Sequence, residues 1–252
     1  MLQNTFVHIP KVSRNAEIKL WRDNIHSWQD FIDNQNKISI SDSKKELLSN
    51  HITKSIEALK NKEYDFFSSL PNNQHWRMYD LLKKKTCFLD IETTGLSSNY
   101  DNITLIGIHS DEGTKIFMKD KDLDKFSREL KKYDKIVTFN GKCFDLPFIK
   151  NKFPDTNFPI FHTDLRYVMA DLGFRGGLKN IERVRGISRD DDIEEMSGFD
   201  AVILWRRYEK GDNSALVKLK KYLTADVENL PTLMNLASTE MKQKYFFDVI
   251  KN

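Results

Sequence analysis

The chain has 252 residues, of which 39% are hydrophobic, 12% aromatic and 31% charged, enough for one large domain and a small accessory one. Its mean hydropathy of −0.57, with no apolar stretch near the roughly 20 residues that span a bilayer, excludes a helical membrane protein, and the N-terminal MLQNTFVHIPKVSRNAE lacks the apolar core of a secretion signal, so a cytoplasmic protein is expected. A net charge of +3 is too small to announce nucleic acid, and two cysteines, Cys87 and Cys143, make neither a disulfide framework nor a four-ligand zinc site.

Residues 1–85 carry 14 basic and 10 acidic groups and show helical patterns without a convincing strand. AEIKLWRDNIHSWQDFI, SKKELLSNHITKSIEALKNK and HWRMYDLLKKK place apolar residues three to four apart. Polar loops, DNQNKISISDS and SSLPNNQ, separate them. A small all-helical N-terminal module is therefore expected over 1–85, followed by a second domain over 86–252.

From residue 86 the pattern changes to short β-rich runs: TCFLDIET, NITLIGIHS, TKIFMK and KIVTFN, with SDEGT as the turn between the second and third. The first three suit an antiparallel meander, and the fourth follows the helical DLDKFSRELKKY. PIFHTDL reads as a fifth strand. LKNIERVRG, FDAVILWRRYEKG and SALVKLKKYLTADVENLPTLMNLAS read as helices, the last kinked or ended by Pro231. The expectation is an α/β domain with a mixed five-stranded sheet flanked by helices.

The first strand ends in two acids. Asp90 and Glu92 alternate with Ile91, so on an extended chain they share a face. Two acids so placed repel unless a cation lies between them, and hard divalent ions take carboxylate oxygens, although DxE alone also describes a polar strand end. Asp145 follows the Asn140-Gly141 turn at the start of a helix, where an acid can be a cap or can project over the end of the sheet. Tyr222 and Asp226, at i and i+4, share a helix face.

The order Asp90-x-Glu92, Asn140-x-x-x-Phe144-Asp145 and Tyr222-x-x-x-Asp226 resembles the three motifs of the tyrosine-bearing (DEDDy) branch of the DEDD exonuclease superfamily, which has a ribonuclease H-like fold. More narrowly, the chain resembles the YprB-type ribonuclease H-like proteins through GGLKNIERVRGISR at 176–189, AVILWRRYEKGDNSALVKLKKYLTADVENL at 201–230 and TFVHIPKVSRNAEIKLWRDNIHSWQDF at 5–31. It departs from their pattern at PKVSRNAE, where relatives often carry glycines. The resemblance implies a 3′-to-5′ exonuclease that uses two Mg²⁺ or Mn²⁺ ions and acts on single-stranded or 3′-frayed nucleic acid; DNA is expected over RNA, although no residue announces contacts to the 2′-hydroxyl. Asp90 would bridge the ions, Glu92 and Asp226 would complete one site, and Asp145 would hold the second ion directly or through water.

Tyr222, a poor base with an ordinary pKa near 10, would orient the attacking water. Thr93, Thr94, Gly95 and Leu96 would receive the 3′ end, and Asn140 would bond the scissile strand or fix its own turn. Asp164 and His162 read as structural. Arg175, Lys179, Arg183, Arg185 and Arg189, with Trp205, Arg206 and Arg207, offer phosphate contacts and an aromatic stacking face, or a solvated helix surface. Lys179 is the substrate-binding candidate among them. Two other readings stay open: an internally cutting or structure-specific nuclease on the same fold, and a catalytically silent nucleic-acid-binding protein.

Overall fold

The structure, a computed structural model, describes residues 1–251. It forms two compact units, one of residues 1–81 with 238–251 and one spanning Leu82–Ala237. The sequence divides near residue 85, and its last turns group with the N-terminal helices.

In the first unit, α1 (Arg14–Arg22) is capped by Ser13, whose hydroxyl accepts from Ala16 N, and α2 (Trp28–Asn34) by Ser27, which accepts from Asp30 N. The single helical pattern expected over AEIKLWRDNIHSWQDFI is thus two helices. Asn24 adopts a left-handed φ of 62° between them, a conformation that asparagine tolerates and that ends the first helix. Helix α3 (Asp42–Asn61) is continuous. HWRMYDLLKKK is mostly 3₁₀, with only α4 (Tyr79–Leu82) as regular α-helix.

Large aromatics build this core. Trp28 and Phe67 stack at 5.9 Å, and Trp21 meets Phe246 edge-on at 5.0 Å. His8 lies against both Trp28 and Phe67 with Nε2 2.9 Å from Ser55 Oγ, and burial drives its pKa down to about 3, so the ring is neutral. A buried ion pair crosses the unit: Arg77 Nη1 and Nη2 donate to the two oxygens of Glu17 at 2.9 and 3.0 Å. Glu17 Oε1 also accepts from Phe6 N at 2.7 Å, and Arg77 Nη1 donates to Thr5 Oγ1.

The second unit holds a five-stranded mixed sheet in the order β3-β2-β1-β4-β5, with β1 (Thr86–Thr93), β2 (Ile103–Ser110), β3 (Gly113–Met118), β4 (Lys135–Thr138) and β5 (Phe161–Asp164). The first three strands are an antiparallel meander, and β4 and β5 run parallel to β1. Every strand read from the β-branched and aromatic runs is present, within about two residues of its expected ends. The helices are α5 (Phe126–Leu130), α6 (Asp145–Lys152), α7 (Leu165–Asp171), α8 (Leu178–Val184), α9 (Asp191–Glu194), α10 (Gly198–Glu209) and α11 (Asn213–Lys242). After a π-helical turn at Gln243–Phe247, α12 (Asp248–Lys251) closes the described chain.

The pleat divides β1 between two cores. Leu89 and Ile91 join Ile106, Phe126, Phe148 and Ile149 on the face covered by α5 and α6. The opposite face carries Leu105 against Trp205, Leu219, Leu223 and Val227 of α10 and α11. Asp90 and Glu92 alternate with Leu89 and Ile91 and so belong to this second face. Gly107 pairs with Asp90 across the sheet, and a Cβ there would come within 3.0 Å of Leu223 Cγ and 3.2 Å of Val227 Cγ1. The missing side chain is what lets α11 lie this close to the two acids.

Pro231 lies inside α11 and does not end it, since the helix continues to Lys242. Its cost, about 3 kcal/mol in a helix interior, is offset by the burial of Val227, Leu230, Leu233 and Met234 around it. Sustained packing outweighs the local break. Among the described residues no helix is long and apolar enough to cross a membrane.

Candidate active site

Four acids from three elements converge at one end of β1. Oxygens of Asp90, Glu92 and Asp226 lie within 4.8 Å of one another. Glu92 and Asp226 are 7% and 6% exposed. The β1–β2 register shifts between Glu92 and Thr93, with Thr104 of β2 as the extra residue, an irregularity of the kind that increases local twist at a strand end. Asp226 comes from α11, one turn after Tyr222, and α11 is brought to the sheet over Gly107.

Asp145 stands at the start of α6 and is buried. β4 pairs with β1 only as far as Phe88, so the Ile91 N–H on that edge is left without a strand partner, and Asp145 Oδ1 accepts it at 3.1 Å. This carboxylate is therefore tied to the backbone between Asp90 and Glu92. It lies outside the three-residue group whose oxygens fall within 4.8 Å.

Burial is the main force on these groups, and repulsion adds to it. Asp90 is pushed well above the carboxylate range by burial and then by Asp145, Asp226 and Glu92, and Glu92 by burial and then by Asp226 and Asp145. Burial raises Asp145 to about 7 and Asp226 to about 6, the latter restrained by Arg189. Acids gathered at this cost fit a hard divalent cation, which would return them to the charged form. The donor set, carboxylate oxygen without sulfur or imidazole, suits Mg²⁺ or Mn²⁺. Tyr222 is 7% exposed, and burial with the neighbouring Asp226 and Glu92 raises its pKa, so the phenol keeps its proton and can donate a hydrogen bond.

Several basic residues are placed differently from a solvated surface. The Arg189 side chain is 3% exposed. Its Nε and Nη2 donate to the two oxygens of Glu182 at 2.6 and 2.9 Å, and Nη2 lies 2.5 Å from Asp226 Oδ1. Lys179 Nζ sits 4.8 Å from the Tyr222 ring centroid and donates to the Glu194 carbonyl at 3.1 Å. Arg185 covers the Phe174 ring, and Arg207, itself exposed, pairs with Asp212 at the surface. Arg175, Arg183 and Arg206 are exposed. Trp205 is buried against Tyr208 and cannot present a stacking face.

The loop after β1 is braced by a residue that the motifs did not single out. Asp101 accepts from Thr94 Oγ1 at 3.0 Å and from Ser97 N at 2.9 Å, and Thr93 Oγ1 donates to the Gly95 carbonyl. A Cβ on Gly95 would fall 2.5 Å from the Asp101 carboxylate, so the glycine serves the loop's own closure. The braced loop carries Leu96 and Tyr100 outward, 87% and 89% exposed. Asn140 takes a left-handed φ of 65° and accepts from Arg166 Nη1. Asp164 receives the Asn140 and Lys142 N–H groups at 2.7 and 2.9 Å and caps α7. His162 Nε2 is 2.9 Å from Thr138 Oγ1. Asp164 and His162 thus both bond neighbouring parts of the fold.

In sequence the chain is 29% identical over 155 residues to the uncharacterized protein MJ0365 of Methanocaldococcus jannaschii, an overlap of 56% of this chain and 88% of that protein. Among solved structures, the family B DNA polymerase of Pyrobaculum calidifontis aligns at 17% identity and TM-score 0.47 over 61% of this chain, which spans 25% of the polymerase chain. Brucella melitensis NrnC bound to pGG aligns at 17% identity and TM-score 0.47, covering 69% and 81% of the two chains. Escherichia coli RNase D, an exoribonuclease, aligns at 14% identity and TM-score 0.45, covering 67% and 44%. The model of an RNase H superfamily family matches residues 87–238, more than half of the sequence and all of the sheet but the first residue of β1, and the chain belongs to that superfamily.

Proposed function

We propose that the protein is a divalent-metal-dependent nuclease that removes nucleotides from the 3′ end of single-stranded or frayed nucleic acid, in the manner of the tyrosine-bearing DEDD exonucleases and of the YprB-type proteins that its motifs resemble. The observation that carries the reading is the convergence of Asp90, Glu92 and Asp226, with Tyr222 one helical turn away and Asp145 on the backbone between the first two. Membership of the RNase H superfamily adds to it.

Asp90, Glu92 and Asp226, with Asp145 as the fourth acid, would hold the metal. Divalent cations held there supply acidity to water and compensate charge on the phosphoryl oxygens. Tyr222 keeps its phenolic proton and orients the water oxygen that attacks phosphorus. As the new P–O bond forms the water gives up a proton to solvent, the bond to the 3′ oxygen of the penultimate nucleotide breaks, and that oxygen takes a proton from solvent, so that one water is added across the bond. The products are a nucleoside 5′-monophosphate and a strand one residue shorter.

Leu96 and Tyr100, held outward on a braced loop beside Thr93 and Thr94, offer apolar faces to unstacked bases. Thr93, Thr94 and Gly95 would line the path of the terminal nucleotide, with Lys179 and Asn140 near the strand.

A single-stranded oligonucleotide labelled at its 5′ end, incubated with Mg²⁺ or Mn²⁺, is expected to give a ladder shortening one nucleotide at a time. The same strand labelled at its 3′ end should release labelled mononucleotide at once, and a closed single-stranded circle should survive. Cutting of the circle would move the assignment to an internally acting nuclease. Matched DNA and RNA strands in the same assay read the sugar preference, which depends on contacts to the 2′-hydroxyl.

A further inference from the structure

Asp226 does not stand alone on α11. Arg189, from the segment after α8, reaches it with Nη2 at 2.5 Å, and Arg189 is itself gripped in bidentate fashion by Glu182 of α8 at 2.6 and 2.9 Å. Glu182 is 1% exposed and its Oε1 also accepts from Asn229 Nδ2 at 3.1 Å. Asn229 is three residues after Asp226, so the network starts and ends on α11. None of these three residues is among the acids of the metal site.

A buried arginine beside a cation site could act in two ways. As a bare positive charge it would oppose a divalent ion, because like charges a few ångströms apart repel strongly away from water. Here the bidentate Glu182 cancels that charge, so the pair as a whole is neutral. What remains is direction: a charge-assisted hydrogen bond fixes one oxygen of Asp226 and with it the plane of the carboxylate. α8 thereby sets the orientation of a carboxylate that belongs to α11.

We propose that Glu182 and Arg189 form a neutral positioning pair that orients Asp226 for the metal, with Glu182 acting through Arg189. This rests on the metal-site reading given above, and the test separates the two.

The test is Mn²⁺ binding to the whole protein by isothermal titration calorimetry, without nucleic acid, after thermal melts show that each variant is folded. Wild-type protein is expected to bind Mn²⁺. Arg189→Met should weaken binding by about tenfold or more, the scale on which partners behind a ligand act. It should also lower kcat on an oligonucleotide while leaving KM unchanged. Arg189→Lys, which keeps a donor for Asp226 but not the fork that grips Glu182, should fall between the two.

Glu182→Gln should weaken binding in the same direction, and Arg189→Met/Glu182→Gln should be no weaker than Arg189→Met alone. Because Arg189→Met leaves Glu182 buried and unpaired, that variant could fail to fold. The double variant, Arg189→Lys and Glu182→Gln then carry the test. Mn²⁺ affinity unchanged or raised in these variants, with wild-type binding intact, would overturn the positioning pair alone. A wild-type protein that binds no Mn²⁺ would overturn the metal site as well.

Discussion

Asp90→Asn is expected to lower the rate of nucleotide release about a thousandfold, equivalent to about 4 kcal/mol of transition-state stabilisation. Asparagine keeps the volume and one carbonyl oxygen but withdraws a negative charge from the centre of the cluster, where Asp145, Asp226 and Glu92 all act on Asp90. The same substitution relieves repulsion between buried acids. Melted without divalent metal, the variant should therefore be at least as stable as wild type, and added Mn²⁺ should raise its melting temperature less. A matched loss of stability and rate would instead mark Asp90 as a packing residue.

The second large effect lies in the first unit and concerns folding. Arg77→Ala takes the buried, bidentate partner from Glu17 in a core where both side chains are fully buried, leaving the partly exposed Arg14 as its remaining cation, and should destabilise that unit by about 3 kcal/mol. Chemical denaturation followed by tryptophan fluorescence reads this as a lower midpoint, since Trp21 and Trp76 both lie near the Arg77 guanidinium. Pairing Arg77→Met with Glu17→Gln should recover only part of the loss. The amide introduced by Glu17→Gln can still accept from Phe6 N, but Thr5 Oγ1 loses the donor that Arg77 supplies. A midpoint unchanged in Arg77→Ala would contradict a structural role for the pair.

The sheet was legible because its signals are local. TCFLDIET alternates in register with a pleat that buries Leu89 and Ile91 in one core and turns Asp90 and Glu92 toward the other, and β1 spans those eight residues. Pro231 does not end α11, because its break signal is local, whereas the packing of Leu230, Leu233 and Met234 that carries the helix past it is not. The basic residues misled for a related reason. Arg189 reads as one more cation in a charged run, but its partners are Glu182, on the preceding helix, and Asp226, on a helix much later in the chain. Trp205 reads as a stacking surface, but its ring is buried against Tyr208. Gly95 also serves its own loop, because Asp101 occupies the space where a side chain would be. Charge and aromaticity are visible along a sequence, while the neighbour that consumes them is supplied by tertiary contact.

Asp90, Glu92 and Asp226 are assigned here as the residues that hold metal. The direct measurement is a crystal of the protein soaked in Mn²⁺ with a short oligonucleotide, with diffraction collected at the manganese absorption edge. Anomalous density is expected among the Asp90, Glu92 and Asp226 carboxylates, with a second peak near Asp145 when the strand is bound, and no such density in Asp90→Asn. Manganese density elsewhere, with these carboxylates bare under saturating Mn²⁺, would contradict that assignment.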